Sequence, residues 1–286
     1  HQACLKDTQV NINSEFSMIK KYLSGIGTSY LNSNGVELTG GDDCAVLAAK
    51  AKLLISTDTS VVGIHFLKSM QPHAIAYRAV STALSDIAAM GGVPTAFNLS
   101  LVIPTFDPAW MKDFRKGLIK ISKEHKIPLI GGDLVKGPLQ ISVTVLGQPG
   151  RNILLRSGAK HGDILCLSGI LGQAYMGLKE YKSSPFINAK TKPYLFPKAQ
   201  VSYAQAIAPY ATAAIDVSDG IFQDLSHLID QSNIGCELDV EQVPVADRLY
   251  QKQCLEFGDD YQLLFTVPPN KLALLQSKIK SMGKKC

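Results

Sequence analysis

The sequence predicts an α/β fold built from mixed sheets in two domains. Apolar runs of strand length are interspersed with amphipathic stretches of period 3.6. The two kinds do not alternate strictly, which excludes a Rossmann or TIM-barrel repeat. The 286 residues exceed what one small core requires. The strand-and-helix pattern also restarts near Pro149-Gly150. The expected division is therefore a first domain of residues 1–149 and a second of 150–286.

Taken in order, "SEFSMIKKYL" (14–23) offers Ser14 as N-cap and Phe16, Ile19 and Leu23 as one helical face. "AKLLISTDT" (51–59) reads as a buried strand that Asp58 closes. "QPHAIAYRAVSTALSDIAAMGG" (71–92) reads as a helix opened by Pro72 and stopped by Gly91-Gly92. "TAFNLSLVIP" (95–104) is a strand. The helix of 107–126 begins at Asp-Pro and carries Trp110, Phe114, Leu118 and Ile121 on one stripe. "IPLIGGD" (127–133), closed by Asp133, and "LQISVTVLGQ" (139–148) are strands. In the second half, "GDILCLSGILGQAYMGLKEY" (162–181) reads as strand, glycine loop and helix. Residues 181–200, rich in Pro and Ser, are expected to be a mobile surface segment. A short helix then leads to a strand at "AAIDVSDG" (213–220) and a helix at "IFQDLSHLID" (221–230). The strands "GCELDV" and "YQLLFTVP" and a last helix, "NKLALLQSKIKSM", complete the chain.

Composition narrows the function. A net charge of +5 is mild, and the adjacent basic pairs are only Lys20-Lys21, Arg115-Lys116 and Lys284-Lys285, so no nucleic-acid stripe is expected. The most apolar zone, 74–103, is interrupted by Arg78, Asp86 and Asn98, which argues against a membrane span. The first residues lack the apolar core of a signal peptide. The six cysteines are widely spaced and form no C-x-x-C, consistent with reduced thiols and a cytoplasmic setting. "GQAYMGLK" (172–179) carries one residue too many before its lysine to be a P-loop. "SGILG" (168–172) offers backbone N–H groups to an anion, or simply a close-packed strand–helix turn.

The carboxylates are more informative. The 24 acidic residues divide into 17 Asp and 7 Glu, the reverse of what solubilising surface helices favour. Nine of the aspartates sit in short stretches flanked by Gly, Ser or apolar residues: Asp42, Asp43, Asp58, Asp86, Asp133, Asp216, Asp219, Asp259 and Asp260. Each has an ordinary structural use, such as a turn at Asp42-Asp43, an Asx-turn at Asp58 or a helix cap at Asp219. His65 likewise reads as a satisfied core histidine. Asp86 is harder to place, because its helical neighbours are Ala, Thr and Met and an unpaired Asp is rarely buried. Two carboxylates about 4 Å apart repel by roughly 4 kcal/mol at an effective dielectric near 20, so a rim of them needs cations. Hard oxygen donors select Mg²⁺ or Ca²⁺, and Mg²⁺ held by a few carboxylates keeps positions for substrate phosphates. That points to nucleotide chemistry.

Seven segments strengthen this reading. "GGDDCAVL", "ISTDTSVVGIHF", "ALSDIAAMGGVP", "LIGGDLVKG", "LRSGAKHGD", "AIDVSDGIFQDLSHL" and "GDDYQLLFTVP" resemble, in this order, the motifs of the thiamine-monophosphate kinase family. That family belongs to the superfamily of aminoimidazole ribonucleotide synthetase and selenophosphate synthetase, and the resemblance covers roughly residues 15–282. It implies a two-domain, aminoimidazole ribonucleotide synthetase-like fold. It also implies a homodimer paired through an N-terminal domain that binds metal and ATP. The implied reaction moves the γ-phosphoryl of ATP onto thiamine monophosphate, with several Mg²⁺ ions.

Carried over by motif, Asp43, Ser56, Thr57, Asp58, Asp86, Asp133, Asp216 and Asp219 are the implied metal ligands. Gly132, Asp133, Arg156 and Ser218 are the implied ATP contacts, and His65 and Asp259 the implied substrate contacts. No general base is expected, since the acceptor phosphate is already anionic at neutral pH. The family usually reads Ser-Gly-Gly-Glu-Asp-Tyr-Glu where this chain reads Glu256-Phe257-Gly258-Asp259-Asp260-Tyr261-Gln262, so Asp259 is one methylene shorter than the family residue. The family also carries C-terminal strands that would follow Cys286. Two rival readings are another ATP-using superfamily member (a ligase or a selenophosphate synthetase) and a non-catalytic Mg-nucleotide-binding protein. A selenophosphate synthetase would want a reactive Cys in a Gly-rich segment, which Cys4 lacks.

Overall fold

The computed structural model describes residues 18–38, 46–47 and 52–283. Asp42, Asp43 and the proposed Ser14 cap therefore lie outside the described residues. Contacts divide the chain into two compact units. The first comprises the described residues of His1–Ala48 with Asp58–Ala79 and Ala96–Thr144; the second comprises those of Ala49–Thr57, Val80–Thr95 and Val145–Cys286. The segments 49–57 and 80–95 thus belong to the same unit as the C-terminal half, a composition that a single boundary at 149 does not express.

After a wide π-helical turn at Ile19–Leu23, the described residues run β1 (Val36–Leu38), β2 (Val46–Leu47), β3 (Leu54–Val61), α1 (Pro72–Ala89), β4 (Val93–Ile103), α2 (Pro108–His125), β5 (Leu129–Lys136) and β6 (Gln140–Gln148). Strands β3–β6 form one sheet in the order β3-β6-β4-β5. β4 and β5 are parallel, joined by α2 as a βαβ crossover. Glycine makes this pairing possible. A Cβ on Gly132, whose φ is +153, would lie 1.8 Å from the Leu99 carbonyl oxygen, and one on Gly131 would lie 2.8 Å from Asn98 Oδ1. "IGGD" is therefore required by the close approach of β5 to β4.

Helix α2 starts as the Asp-Pro signal requires. The Asp107 side chain accepts from Ala109 N–H at 2.8 Å, and the stripe Phe114, Leu118 and Ile121 is fully buried. Gly117 lets α1 cross closely, since a Cβ there would meet the His73 carbonyl oxygen at 2.1 Å. At the start of the described chain the buried residues are Met18, Tyr22 and Ile26, while Leu23 is only partly covered. Phe16 of the expected face lies outside the described residues; Met18, Tyr22 and Ile26 form an i, i+4, i+8 stripe across a π-helical turn.

The second unit holds β7 (Ile164–Leu167), α3 (Gln173–Ser183), α4 (Lys192–Leu195), α5 (Val201–Ile207), β8 (Ala213–Val217), α6 (Ile221–Ser232), α7 (Gln251–Glu256), β9 (Gln262–Val267) and α8 (Pro269–Ser281). Its sheet is antiparallel with β9 central, in the order β7-β9-β8. Both faces are covered, and the period-2 alternation of the strands sorts the residues. Ala214, Leu263, Phe265 and Val267 pack with Tyr203 and Ile207 of α5 and Leu275 and Ile279 of α8. Ala213, Ile215, Val217 and Leu264 pack with Ile221, Leu225 and Leu228 of α6.

Two expectations fail here. "GCELDV" forms no strand; residues 235–239 are irregular. The segment 181–200 is pinned in place: Thr191 and Leu195 are fully buried, Asn188 Oδ1 accepts from Lys190 and Thr191 N–H, and Ser81 Oγ donates to the Pro197 carbonyl. Its Pro and Ser residues serve caps and turns that composition alone reads as looseness.

Candidate functional site

The second unit contains a cleft of about 380 Å³. Its polar wall is Ser56, Asp86, Arg156, Ser157 and Asp216; Leu54, Ile55, Met90, Leu154 and Leu155 form the apolar one. Four residues that the sequence singles out for phosphate or metal chemistry, Ser56, Asp86, Arg156 and Asp216, thus line one space. Their placement follows from local structure. Asp86 lies on α1 among buried Ala83, Leu84, Ile87 and Ala88, and receives the Ser56 hydroxyl. Asp216 lies near the end of β8, on the strand face that also carries Ala214. Arg156 sits on a short 3₁₀ turn, Arg156–Gly158, drawn against β8 by the Ala214 N–H to Leu155 carbonyl bond at 3.2 Å. Gly158 makes that turn possible, because a Cβ would lie 1.9 Å from the Thr212 carbonyl oxygen.

The electrostatics are those of a site short of positive charge. Burial pushes the Asp86 carboxyl above its ordinary range, against the pull of the Ser56 hydroxyl and the Arg156 guanidinium. Asp216, 5% exposed, is pushed up to about 7 by burial first and by the Asp86 charge second, while the Ser85 hydroxyl draws it back. Two desolvated carboxyls with a hydroxyl beside them are hard oxygen donors, and a divalent cation would relieve their repulsion. The donor chemistry of Asp86, Asp216 and Ser56 therefore fits Mg²⁺. Among the described residues, no group of three or more His, Cys, Asp or Glu side chains gathers tightly enough to hold a metal by itself.

The other expected ligands are distributed differently from a rim of strand ends. Asp58 and Asp133 lie inside β3 and β5, since both strands continue past them. These are the two edge strands of their sheet, three strand spacings apart, on the order of 14 Å along it. Thr57 is exposed and alternates with Ser56 and Asp58 on β3. Asp133 is exposed and accepts from Leu134 N–H at 2.9 Å. Asp219 is exposed on the turn after β8, with Gln223 Nε2 donating to it at 3.2 Å. His65 is exposed and not a core residue; its Nδ1 accepts from Val61 N–H at 3.1 Å, which fixes the proton of the neutral ring on Nε2.

Two carboxylates that the sequence reading left without a role organise the loops. Asp224 on α6, 2% exposed, accepts through one oxygen from Ser218 and Asp219 N–H, both at 3.0 Å. Asp260, 8% exposed, accepts from Gly172 N–H and from Ala174 N–H at 2.8 Å. The N–H groups after "SGILG" are thus taken by an internal carboxylate, and the loop is a clamp for the 258–261 segment. The Ser218 N–H is engaged too, which leaves its hydroxyl for a ligand. A signal for Asp224 existed: in "IFQDLSHL" it follows Ile221 by three and precedes Leu228 by four, on the apolar face of α6.

Comparison with known proteins covers most of the chain. The family described as AIR synthase related protein, N-terminal domain, matches residues 17–148. The thiamine-monophosphate kinase of Buchnera aphidicola (subsp. Schizaphis graminum) is 36% identical over 289 residues, covering 96% of this chain and 89% of that protein. The chain belongs to the thiamine-monophosphate kinase family. The crystal structure of the thiamine-monophosphate kinase from Stenotrophomonas maltophilia superposes with a TM-score of 0.82 at 31% identity, covering 89% of each chain. AaThiL, solved in complex with AMPPCP and TMP, superposes with a TM-score of 0.73 at 29% identity, covering 94% of this chain and 89% of that one. In this member of the thiamine-monophosphate kinase family, the cleft of Ser56, Asp86, Arg156 and Asp216 is the feature that invites a chemical reading.

Proposed function

We propose that this chain transfers the γ-phosphoryl group of ATP to the phosphate of thiamine monophosphate, forming thiamine diphosphate. The single observation that carries the reading is the cleft itself. It faces two desolvated carboxyls with one guanidinium, in a chain whose relatives are kinases of this substrate. Arg156 binds and orients a phosphate group. Asp86 and Asp216, with Asp43, Ser56, Thr57, Asp58, Asp133 and Asp219, are the proposed holders of several Mg²⁺ ions, and bound Mg²⁺ supplies charge neutralisation of the phosphates. Gly132 and Ser218 join Asp133 and Arg156 at ATP, and His65 and Asp259 bind thiamine monophosphate. No side chain need remove a proton, because the attacking phosphate oxygen is already ionised near neutral pH, its second pKa being about 6. Catalysis then rests on alignment and charge stabilisation.

The N-terminal part, residues 1–149, is proposed to carry homodimer pairing as well, and the protein to act in the cytoplasm. No helix among the described residues is long and apolar enough to cross a membrane. Incubation with ATP, Mg²⁺ and thiamine monophosphate, followed by chromatography, should yield thiamine diphosphate and ADP in equal amounts. Nucleotide binding without product would favour the binding-only alternative, and turnover only with a different acceptor would favour another superfamily activity.

A further inference from the structure

The segment Phe257–Tyr261, between α7 and β9, has a tightly constrained backbone. Asp259 has φ +68 and Tyr261 φ +50, so two of three consecutive residues adopt the left-handed conformation that L side chains avoid. A bulky aromatic in that region is an outlier that persists only when its surroundings over-determine it. The surroundings here do so. Asp259 N–H donates to the Ser218 carbonyl and Tyr261 N–H to the Val217 carbonyl, each at 2.9 Å. Asp260 is held by the N–H groups that open α3. Gly258 lies so close to the 218 turn that a Cβ would be 1.7 Å from the Ser218 carbonyl oxygen.

One consequence of this arrangement involves two side chains. The Tyr261 ring is 9% exposed, and its hydroxyl donates to Asp259 Oδ1 at 3.1 Å. In an extended strand, residues i and i+2 point the same way about 7 Å apart, too far for that bond. Here the left-handed residues bring the phenol back over the carboxylate. The backbone of Asp259 is bonded to Ser218, so the oriented carboxylate sits beside the turn proposed to meet ATP.

We propose that Tyr261 is a positioning residue for the acceptor substrate: its hydroxyl, bonded to Asp259, holds that carboxylate in the rotamer that meets thiamine monophosphate. This rests on the reading of Asp259 as a substrate contact. The bond from the Tyr261 hydroxyl narrows the rotamers open to the Asp259 carboxylate before the ligand arrives.

The test is a double-mutant cycle with Y261F and D259A, reading KM for each substrate, kcat and melting temperature. Y261F retains the buried ring and should raise KM for thiamine monophosphate about threefold to tenfold, leaving KM for ATP and kcat within twofold. In the D259A background Y261F should add nothing. Y261M, of similar bulk and also without a hydroxyl, should give the same rise. If D259A leaves KM for thiamine monophosphate unchanged, the assignment of Asp259 fails. If D259A raises it while Y261F and Y261M do not, Asp259 stands and the role of Tyr261 is refuted. An equal effect of Y261F with and without Asp259, or a parallel rise in KM for ATP, marks a merely structural tyrosine and refutes it as well.

Discussion

Asp216→Asn should make the metal-free protein more stable and the enzyme nearly inactive. The Asp216 carboxyl is raised from 3.8 to about 7, by burial first and by the Asp86 charge second. A folded pKa above the unfolded one means a contribution that is fully present below about pH 3.8 and lost as pH rises through 7. Three pKa units correspond to about 4 kcal/mol, which the ionised group withholds from the folded state at pH 8. Asn has the same shape without the charge. Its amide needs partners in place of the carboxylate's, at a cost of about 1–3 kcal/mol, so a net gain of about 1–3 kcal/mol is expected. For a protein of this size that is a Tm rise of roughly 2–10 °C. Thermal unfolding in EDTA between pH 6 and 8.5 measures it. The wild type should lose stability across that range and D216N should lose much less. Adding Mg²⁺ with an ATP analogue should raise the Tm of the wild type more than that of D216N. A variant destabilised in EDTA at pH 8, with the same pH slope as the wild type, would refute the picture of a strained, cation-seeking carboxylate.

Three further outcomes follow from the same geometry. Asp224→Ala leaves the Ser218 and Asp219 N–H groups without their acceptor, so it should cost about 1–3 kcal/mol in urea unfolding and lower kcat at least tenfold; Asp224→Asn, which keeps one acceptor oxygen, should do markedly less. Gly258→Ala drives a methyl into the Ser218 carbonyl, 1.7 Å from the ideal Cβ, and should lower both Tm and kcat/KM, with wild-type kinetics as the refuting result. His65→Gln removes the exposed ring proposed to meet thiamine monophosphate and should raise KM for that substrate more than it lowers kcat; a kcat loss at unchanged KM would overturn that role.

Much of this was legible in the sequence because periodicity and caps act locally. The Asp107 cap, the buried face of α2 and the alternating faces of β8 and β9 each follow from a few neighbouring residues. The family motifs also pointed to the residues of the cleft, Ser56, Asp86, Arg156 and Asp216. What the sequence concealed is non-local. No neighbouring residue marks Gly132 as pressed on Leu99, or Gly158 on Thr212; both are demanded by backbone approach. The strands run on past Asp58 and Asp133 because pairing with a neighbouring strand, which composition does not encode, decides where a strand stops. Asp260 and Asp224 hide for a related reason. Converging N–H donors stabilise a buried carboxylate, and these come from residues 172–174 in one case and 218–219 in the other. The aspartate excess noted in the composition thus serves two physical ends. Asp86 and Asp216 line the cleft and are the proposed cation holders, whereas Asp224 and Asp260 accept from converging backbone N–H groups and shape the loops. Burial raises all four carboxyls above their ordinary range, so what sets the two pairs apart is the number of backbone N–H groups aimed at each.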